Sequence, residues 1–402
     1  MTAIERDIQA LAPAMIDLRH EIHAHPELGY EERETSRRIL ERIENLPGMT
    51  VRKGVAGTGI VATLNADRQG PCVALRADMD ALPITEETGK PYASKHAGRM
   101  HACGHDGHVA CLVGVATVLA RHADALSGPV KFIFQPAEES GGGGEKMVAE
   151  GVLDNPRVDA AFALHGWPTL DVGTVGTRAG PALASTNPFD ITIHGRGSHA
   201  AYPHRGVDPI VIAAHVVVAL QTIVSRNTDP LDSVVVTVGK IEAGTAVNII
   251  PPSALLRGTI RTLNPQTRRE TVERVVRIAR GTAEALGGRA EIATRDGYPV
   301  LVNDAEAAGF FMRVARESLG DERVDANVPA SLGAEDFAYV AQRVPACFWR
   351  LGVRPKGTDN YPGLHHPKYD FSDDAIAVGV RLHCELAMRF AREWKGGAGS
   401  RK

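Results

Sequence analysis

Residues 72–80, CVALRADMD, form a short apolar run that ends in two aspartates, and this stretch indicates the fold. A short apolar run such as its first part, 72–77, is typical of a strand that is buried on both faces of a sheet. Similar runs occupy 58–64, 130–134 and 158–164. A helical pattern follows Gly107, between the second and third of these four runs. Short apolar strands separated by helices predict an α/β domain with a mostly parallel sheet.

A different pattern occupies residues 186–297. Strand and helix patterns alternate there at 189–194, 208–225, 233–241, 254–262, 265–286 and 289–295. The order strand, helix, strand, strand, helix, strand is the split βαβ arrangement. We therefore predict that 186–297 form a smaller domain inserted into the α/β domain, whose two parts are 1–185 and 298–402.

Two glycine-rich stretches are predicted to be mobile. Residues 141–144 are four consecutive glycines, and we expect a flexible loop there. Residues 397–402, GAGSRK, are expected to form a frayed tail, since small and polar residues at a chain end are rarely held in place.

The composition argues against several functional classes. The chain has 402 residues, of which 44% are hydrophobic. Its net charge of −3 argues against nucleic-acid binding, which needs a basic face. It has no run of about 18 uninterrupted apolar residues, so we predict no membrane span. Five scattered cysteines and an N-terminus without the pattern of a secretion signal predict reduced thiols and a cytoplasmic location.

The sharpest chemical motif is MHACGHDGH, residues 100–108, which places one thiol and three imidazoles just before a helix. Thiolate and imidazole together suit zinc, cobalt, nickel or manganese rather than calcium. A cysteine near a helix N-terminus also tends toward the thiolate, because the helix dipole stabilises its charge. The alternative is that Cys103 is a core residue and the histidines make only local hydrogen bonds.

Three predicted strands are followed by further metal-binding types of side chain. Asp78 and Asp80 follow the strand at 72–77, Glu138 and Glu139 follow that at 130–134, and His165 follows that at 158–164. Ligands of open α/β sheets bind just outside the carboxyl ends of the strands. We therefore expect these side chains to meet the Cys/His motif in one cleft.

The adjacent acids Glu138 and Glu139 suggest a division of roles. Neighbouring side chains of an extended segment diverge, so one can bind a metal while the other faces the reacting water. Hydrolysis by a metal needs a ligand that fixes the ion and a base that takes the proton of the water. The alternative is a solvated surface turn, where adjacent acids are common.

Further motifs continue in order along nearly the whole chain: LRHEIHAHPELGYEE (18–32), LRADMDALPI (75–84), FQPAEESGGGG (134–144), ALHGWP (163–168), GRGSHAAYPHRGVDP (195–209), AVNIIP (246–251), LGAEDFAY (332–339) and LHHPKYDF (364–371). With these motifs the chain resembles the M20 metallopeptidases, and specifically their amidohydrolase branch. That branch contains hippurate hydrolases, N-acyl-L-amino acid amidohydrolases and plant auxin-conjugate hydrolases. The resemblance implies an α/β metallohydrolase domain with an inserted lid or dimerisation domain.

The resemblance also implies a site for two divalent metal ions, either manganese, zinc, cobalt or nickel. The implied ligands are Cys103, which bridges both ions, together with His105, Glu139, His165 and His365. His366 stands next to the last of these, so the choice within this pair stays open. Structural or supporting roles are expected for His23, His25, His101 and His108. The remaining cysteines lie in apolar surroundings and are predicted to be buried core thiols, namely Cys72, Cys111, Cys347 and Cys384.

The remaining implied roles concern catalysis and substrate. Glu138 is the implied general base, and Asp78 and Asp80 are expected to orient the ligating imidazoles. His199 matches a lid histidine that reaches the active site of the partner subunit, and Asn248 matches a lid residue that holds substrate. The alternatives are that His199 is a plain surface histidine and that Asn248 only shapes the turn before two prolines.

The implied activity is the metal-dependent hydrolysis of small N-acyl amino acids, hippurate-like or N-acetylated, to a carboxylic acid and an amino acid. The implied assembly is a homodimer or a larger homo-oligomer. Two enzymatic alternatives share the metal chemistry: a dipeptidase or aminopeptidase, and a deacetylase of an N-acetylated diamino acid. A binding or regulatory protein that has lost its active site is a further alternative, although every expected ligand is present.

Overall fold

The computed structural model describes residues 2–396, so the predicted frayed tail, 397–402, lies outside the described residues. The helices are α1 (Ala3–Ala24), α2 (Arg33–Ile43), α3 (His105–Arg121), α4 (Gly143–Ala149), α5 (Pro209–Leu220), α6 (Thr222–Asn227), α7 (Pro265–Ala285), α8 (Ala305–Leu319), α9 (Ala338–Ala341) and α10 (Ile376–Glu393). The strands are β1 (Met49–Val55), β2 (Gly59–Leu64), β3 (Cys72–Asp78), β4 (Val130–Gln135), β5 (Val158–Asp171), β6 (Val175–Gly176), β7 (Gly180–Leu183), β8 (Ser185–His194), β9 (Ser198–His199), β10 (Val234–Ala243), β11 (Ile249–Ile250), β12 (Ser253–Thr262), β13 (Arg289–Thr294), β14 (Leu301–Asn303), β15 (Val324–Asp325) and β16 (Ala346–Arg354).

The first of two compact units contains the described residues up to Gly180, Val302–Pro329 and the described residues from Asp336 onward. Its sheet has the strand order β1-β2-β4-β3-β5-β16-β6-β15. The central strands β4, β3, β5 and β16 run parallel, whereas β1 and β2 add an antiparallel edge. The predicted α/β fold with a mostly parallel sheet is confirmed.

The central strands of this sheet are buried because helices cover them. Every residue of β3 and of β4 is buried, as continuous apolar runs of this kind predict. Helix α3 is buried along almost its whole length, and it packs against α1, α10 and β3. The start of α3 is therefore held rigidly at the carboxyl end of the sheet.

Two predictions about this unit are wrong. His165 does not follow its strand but lies inside it, because β5 continues to Asp171. Residues 141–144 do not form a flexible loop, since Gly143 and Gly144 are buried and begin α4. A Cβ atom on Gly143 would lie 1.7 Å from the Pro136 carbonyl oxygen, so these glycines permit a close approach of two backbone segments.

The second unit contains Pro181–Leu301 and Ala330–Glu335, and the predicted insertion, 186–297, lies within it. Its antiparallel sheet has the strand order β10-β12-β8-β13. Burial alternates along β8, as expected for a strand with one face on a core. The helix predicted at 208–225 is interrupted, so that α5 ends at Leu220 and α6 follows.

One helical stretch in the described residues, Pro209–Asn227, has the length and mean hydropathy (1.6) of a membrane span. We predicted no span, and length and composition alone are weak evidence for one, because core helices pass the same test. One side of α5 packs on the sheet of the second unit through residues such as Ile212 and Val216. Its other side carries exposed apolar side chains, including Val211 and Val218.

Candidate metal centre

The carboxyl ends of three neighbouring strands bring the predicted ligands together. Asp78 is the last residue of β3, and Glu138 and Glu139 follow β4 through a turn. His165 projects from β5, the strand on the other side of β3. Cys103 precedes α3, and Gly104 at the N-cap of this helix has a φ of +84°, which glycine adopts without strain. The sheet edge therefore collects side chains from distant parts of the sequence.

Three overlapping groups of donor atoms at this edge consist of the predicted ligands and Glu138. In each group the ligand atoms lie within 4.8 Å of one another. The groups are Cys103, His105 and His165; Cys103, Glu139 and His365; and His105, Glu138 and Glu139. Cys103 belongs to two of them, which is the position expected of a residue that bridges two ions.

His365, not His366, joins this cluster. The Nε2 atom of His365 lies 3.2 Å from Glu139 Oε1, and its backbone N–H donates to the carbonyl oxygen of Ala102 at 2.8 Å. This hydrogen bond ties the C-terminal loop to the Cys/His motif. The ring of His366 is engaged elsewhere, since its Nδ1 accepts a hydrogen bond from the backbone of Lys368 at 3.0 Å.

The two buried imidazoles turn one nitrogen each toward the cluster. His105 Nδ1 lies 3.2 Å from Asp80 Oδ1, and His105 Nε2 is buried without a hydrogen-bond partner in the described chain. His165 Nδ1 donates to the Gly166 carbonyl oxygen at 2.8 Å, which leaves Nε2 as an acceptor 3.4 Å from Cys103 Sγ. A buried polar atom without a partner is costly, and an ion bound at these nitrogens removes the cost. Thiolate, imidazole and carboxylate are ligands that fit zinc, manganese, cobalt or nickel.

The carboxylates of Asp78 and Asp80 act on histidines and on the backbone. Asp80 contacts His105, and its second oxygen accepts the backbone N–H of Glu139 at 2.9 Å. Asp78 lies 2.6 Å from His108 Nδ1, and His108 Nε2 accepts the N–H of Gly166 at 2.8 Å. A ring nitrogen that accepts carries no proton, so His108 is neutral and donates to Asp78. Each aspartate thus sets the orientation of a histidine at the site.

Cys103 does not have the acidic thiol that the sequence suggested. Burial, together with the negative charges of Glu139 and Glu138, raises the pKa of this thiol well above its ordinary value. The helix dipole is outweighed because the thiol is buried among carboxylates. A coordinated cation reverses this balance and deprotonates a thiol outright.

His105 carries the opposite perturbation. Burial lowers its pKa, but the charges of Asp78, Asp80 and Glu139 outweigh burial and raise the pKa to about 10. The pKa of His165 lies well below its ordinary value because of burial and the neighbouring His108. Carboxylates therefore surround His105, whereas His165 is neutral. These acidic surroundings favour the binding of a cation.

Glu138 and Glu139 do not diverge as an extended segment would have placed them. Residues 138–141 form a turn, and Ala137 before it has a φ of +51°. Both carboxylates therefore approach His105, and Glu138 is buried with 6% of its surface exposed. Because Glu138 is buried, the alternative of a solvated surface turn is wrong.

The sequence analysis missed a buried polar group beneath the site. Arg76 donates to Asp78 at 2.6 Å, to Gln135 at 2.9 Å and to Asp336 at 3.1 Å. Asp336 also accepts the backbone N–H of Gly144 at 2.8 Å, at the start of α4. An arginine in the middle of an apolar strand was the available signal, since buried arginines are rare unless they are paired.

Two of the histidines with expected supporting roles, His23 and His101, lie in a second buried group. His23 lies between Asp106, at 2.8 Å, and Glu86, at 3.2 Å. Burial lowers its pKa, but Asp106 and Glu86 outweigh burial and raise the pKa to about 9. Burial lowers the pKa of His101 to about 4. The other four cysteines, Cys72, Cys111, Cys347 and Cys384, are free and buried, as predicted for core thiols.

His199 and Asn248 lie side by side in the second unit. Strand β9 pairs with β11 so that His199 lies opposite Ile249. The backbone N–H of Ala200 donates to the Asn248 carbonyl oxygen at 3.0 Å. Both residues are exposed, and the two predicted substrate contacts therefore share one short ribbon.

Comparisons with known proteins identify the class of this protein. The sequence model of peptidase family M20/M25/M40 matches residues 74–389 of this chain. The chain is 40% identical over 384 residues to N-acetyl-L-cysteine deacetylase of Bacillus subtilis, and the match covers 95% of this chain and 89% of the relative. It is 41% identical over 386 residues to IAA-amino acid hydrolase ILR1-like 2 of Arabidopsis thaliana, covering 94% and 85% respectively.

A solved structure agrees with these matches. The YXEP protein of Bacillus subtilis, a dinuclear metal-binding peptidase of family M20, superposes with a TM-score of 0.82 at 34% identity. The match covers 95% of this chain and 99% of that protein. The chain belongs to peptidase family M20/M25/M40, and the resemblance to its amidohydrolase branch is confirmed.

Proposed function

We propose that this protein is a metal-dependent amidohydrolase that cleaves the amide bond of N-acyl amino acids, releasing a carboxylic acid and an amino acid. The observation that carries the proposal is the convergence of thiol, imidazole and carboxylate donors beside buried Glu138. Relatives that are named for deacetylation of N-acetylcysteine and hydrolysis of IAA-amino acids support this substrate class.

Each residue of the cluster has a role in this proposal. Cys103, His105, Glu139, His165 and His365 would hold the two divalent ions, with Cys103 shared between them. When bound, such ions polarise the amide carbonyl and make water nucleophilic near neutral pH. Asp80 holds the His105 ring so that Nε2 stays directed at the cluster. Asp78 holds His108, which in turn binds the backbone next to His165.

Glu138 moves the proton in this proposal. Its carboxylate takes a proton from the attacking water and returns it to the nitrogen of the leaving amino acid. The turn at 138–141 holds Glu138 beside Glu139, so the base stays next to a residue that fixes the ion. His199, acting from the second unit of a partner subunit, adds a hydrogen bond to the developing oxyanion, and Asn248 holds substrate.

We further infer that the protein assembles as a homodimer through its second unit. Strand β10 is at the edge of its sheet, and α5 exposes Val211 and Val218 beside the buried side of the same helix. An edge strand with unpaired backbone groups next to exposed apolar side chains favours pairing with a second copy. Sedimentation at micromolar concentration tests this, and a monomer that is fully active would contradict it.

The five buried free thiols suit a reducing compartment, so we propose that the protein is cytoplasmic. Fractionation of the source cells tests this.

The decisive experiment for the activity is a hydrolysis panel with metal-free protein reloaded separately with manganese, cobalt, nickel or zinc. The substrates are hippurate, N-acetyl amino acids with varied side chains, dipeptides and an N-acetylated diamino acid. The proposal predicts the highest kcat/KM among monoamino N-acyl amino acids and no turnover after chelation. A preference for dipeptides identifies a peptidase instead, and a preference for the N-acetylated diamino acid identifies the corresponding deacetylase.

A further inference from the structure

Two arginines of the first unit, Arg178 and Arg350, donate to adjacent carbonyl oxygens and form no ion pair with a carboxylate of the described residues. Arg350 is 6% exposed, and its Nη2 donates to the carbonyl oxygen of Pro329 at 2.8 Å. Arg178 donates through Nη1 to the carbonyl oxygen of Val328, the residue before Pro329, at 3.3 Å. The Nε of Arg178 is buried and has no hydrogen-bond partner among the described residues. In the part of the chain that is described, neither guanidinium has a carboxylate within 4.0 Å.

This arrangement is unfavourable unless an anion joins it. An arginine offers five N–H donors, and Arg350 uses one of them in a hydrogen bond within the described chain. Burial and the charge of Arg178 lower the pKa of Arg350 to about 10, although the negative charge of Asp325 opposes them. Buried charges in folded proteins are normally paired, because desolvation is otherwise uncompensated. A carboxylate between two guanidinium groups compensates both charges at once.

The pair lies beside the candidate metal centre. Arg350, in β16, is the register partner of His165, in the neighbouring strand β5. Neighbouring strands lie about 4.8 Å apart, and paired residues project from the same face. The guanidinium carbon of Arg350 lies 4.0 Å from the centre of the Trp167 ring, and that ring lies 5.8 Å from the His165 ring. Stacking on Trp167 holds the flat guanidinium in one plane.

We propose that Arg350 and Arg178 form a carboxylate-binding subsite that recognises a carboxylate of the N-acyl amino acid while its amide lies at the metal centre. The proposal rests on the proposed function and names the residues that select an anionic substrate. Two carboxylates of such substrates share this chemistry, the α-carboxylate and an acidic side chain. Arginine suits both, since its planar fork matches a carboxylate through two parallel hydrogen bonds.

Matched substrate pairs test the subsite. The first pair is N-acetylmethionine and its primary amide, which differ in the α-carboxylate. The second pair is N-acetylglutamate and N-acetylglutamine, which differ in the side chain. The wild-type protein is expected to prefer the anionic member of at least one pair. Arg350→Gln is expected to reduce that ratio of kcat/KM values about 10- to 100-fold, the usual effect of a lost charged hydrogen bond. The pair that responds identifies the carboxylate.

Three variants make the result specific. Arg178→Gln is expected to reduce the same ratio, and Arg350→Lys to keep part of it, because the charge remains. Arg354→Gln is the control, since Arg354 is on the same strand but pairs with Asp171 at 2.6 Å, and its ratio is expected to equal that of the wild type. Thermal melting is measured for each variant to check that it folds. If Arg350→Gln does not fold, the kcat/KM ratios of Arg178→Gln and Arg350→Lys test the subsite instead.

Two results overturn the subsite. One is a wild type that cleaves N-acyl amino acids without preferring the anion in either pair. The other is an Arg350→Gln variant that loses kcat/KM equally for both members of each pair, which indicates a structural role. A wild type that cleaves no N-acyl amino acid refutes the proposed function itself, and this result is distinct from the first two.

Discussion

Replacing Glu138 by glutamine separates proton transfer from metal binding. The change keeps the size of the side chain, so a buried residue with 6% exposure leaves no cavity. It removes the only group to which we assign the proton of the water. General acid–base catalysis contributes about 10²- to 10⁴-fold. Because Glu138 both takes and returns the proton, we expect a loss of kcat near 10⁴-fold, which corresponds to about 5.5 kcal/mol in the activation free energy.

The matched control is Glu139→Gln, one residue further along the same turn. Glu139 Oε1 lies 3.2 Å from His365 Nε2 and 3.9 Å from His105 Nε2, so this variant loses a metal ligand. We expect Glu139→Gln to lose metal on dialysis and Glu138→Gln to keep the wild-type metal content. Elemental analysis and hydrolysis of an N-acetyl amino acid at saturating metal measure both quantities. Glu138→Gln protein with full metal content and more than a tenth of wild-type kcat would refute the assignment.

Three further predictions concern the surroundings of the site. Asp80→Asn should weaken metal binding about 10- to 100-fold, measured by competition with a chelating dye, because the His105 ring loses its orienting carboxylate; unchanged affinity would contradict this. Gly143→Ala should yield unstable protein, because the added Cβ meets a backbone oxygen. The control is Gly309→Ala in α8, where the added Cβ has open space around it, and this variant should raise the free energy of unfolding by about 0.5–1 kcal/mol in denaturant melts. Equal effects of the two substitutions would count against the close approach at Gly143. His23, with its pKa raised from 6.5 to about 9, should contribute stability that is fully present below pH 6.5 and lost between pH 6.5 and 9, up to about 3 kcal/mol; a His23→Gln variant with the same pH slope as the wild type would contradict this.

The cluster was predictable because its residues stand at fixed places in a pattern. Two patterns can be recognised in the sequence: an apolar strand followed by an acidic residue, and a Cys/His motif before a helix. Parallel strands present their carboxyl ends at one edge of the sheet, so these residues are expected to meet there. Asp78, Asp80, Cys103 and Glu139 all lie at that edge. The prediction failed at two places where the chain departs from the expected geometry: β5 continues past His165, and the last two of the four glycines are buried at the start of α4.

Other features could not be read from the sequence. The choice of His365 over His366, the turn that brings Glu138 to His105 and the high pKa of Cys103 each depend on neighbours that are distant in the chain. Arg178 and Arg350 are separated in sequence by the whole of the second unit and reach adjacent carbonyl oxygens only in the folded chain.

The sequence alone therefore determined the fold class, the family and the identity of most chemical groups at the site, because strand patterns and motifs are local properties. Tertiary structure alone decided the partners and the charge states of those groups. Hydrogen bonds and electrostatic interactions act across a few ångströms of space regardless of how many residues separate the groups.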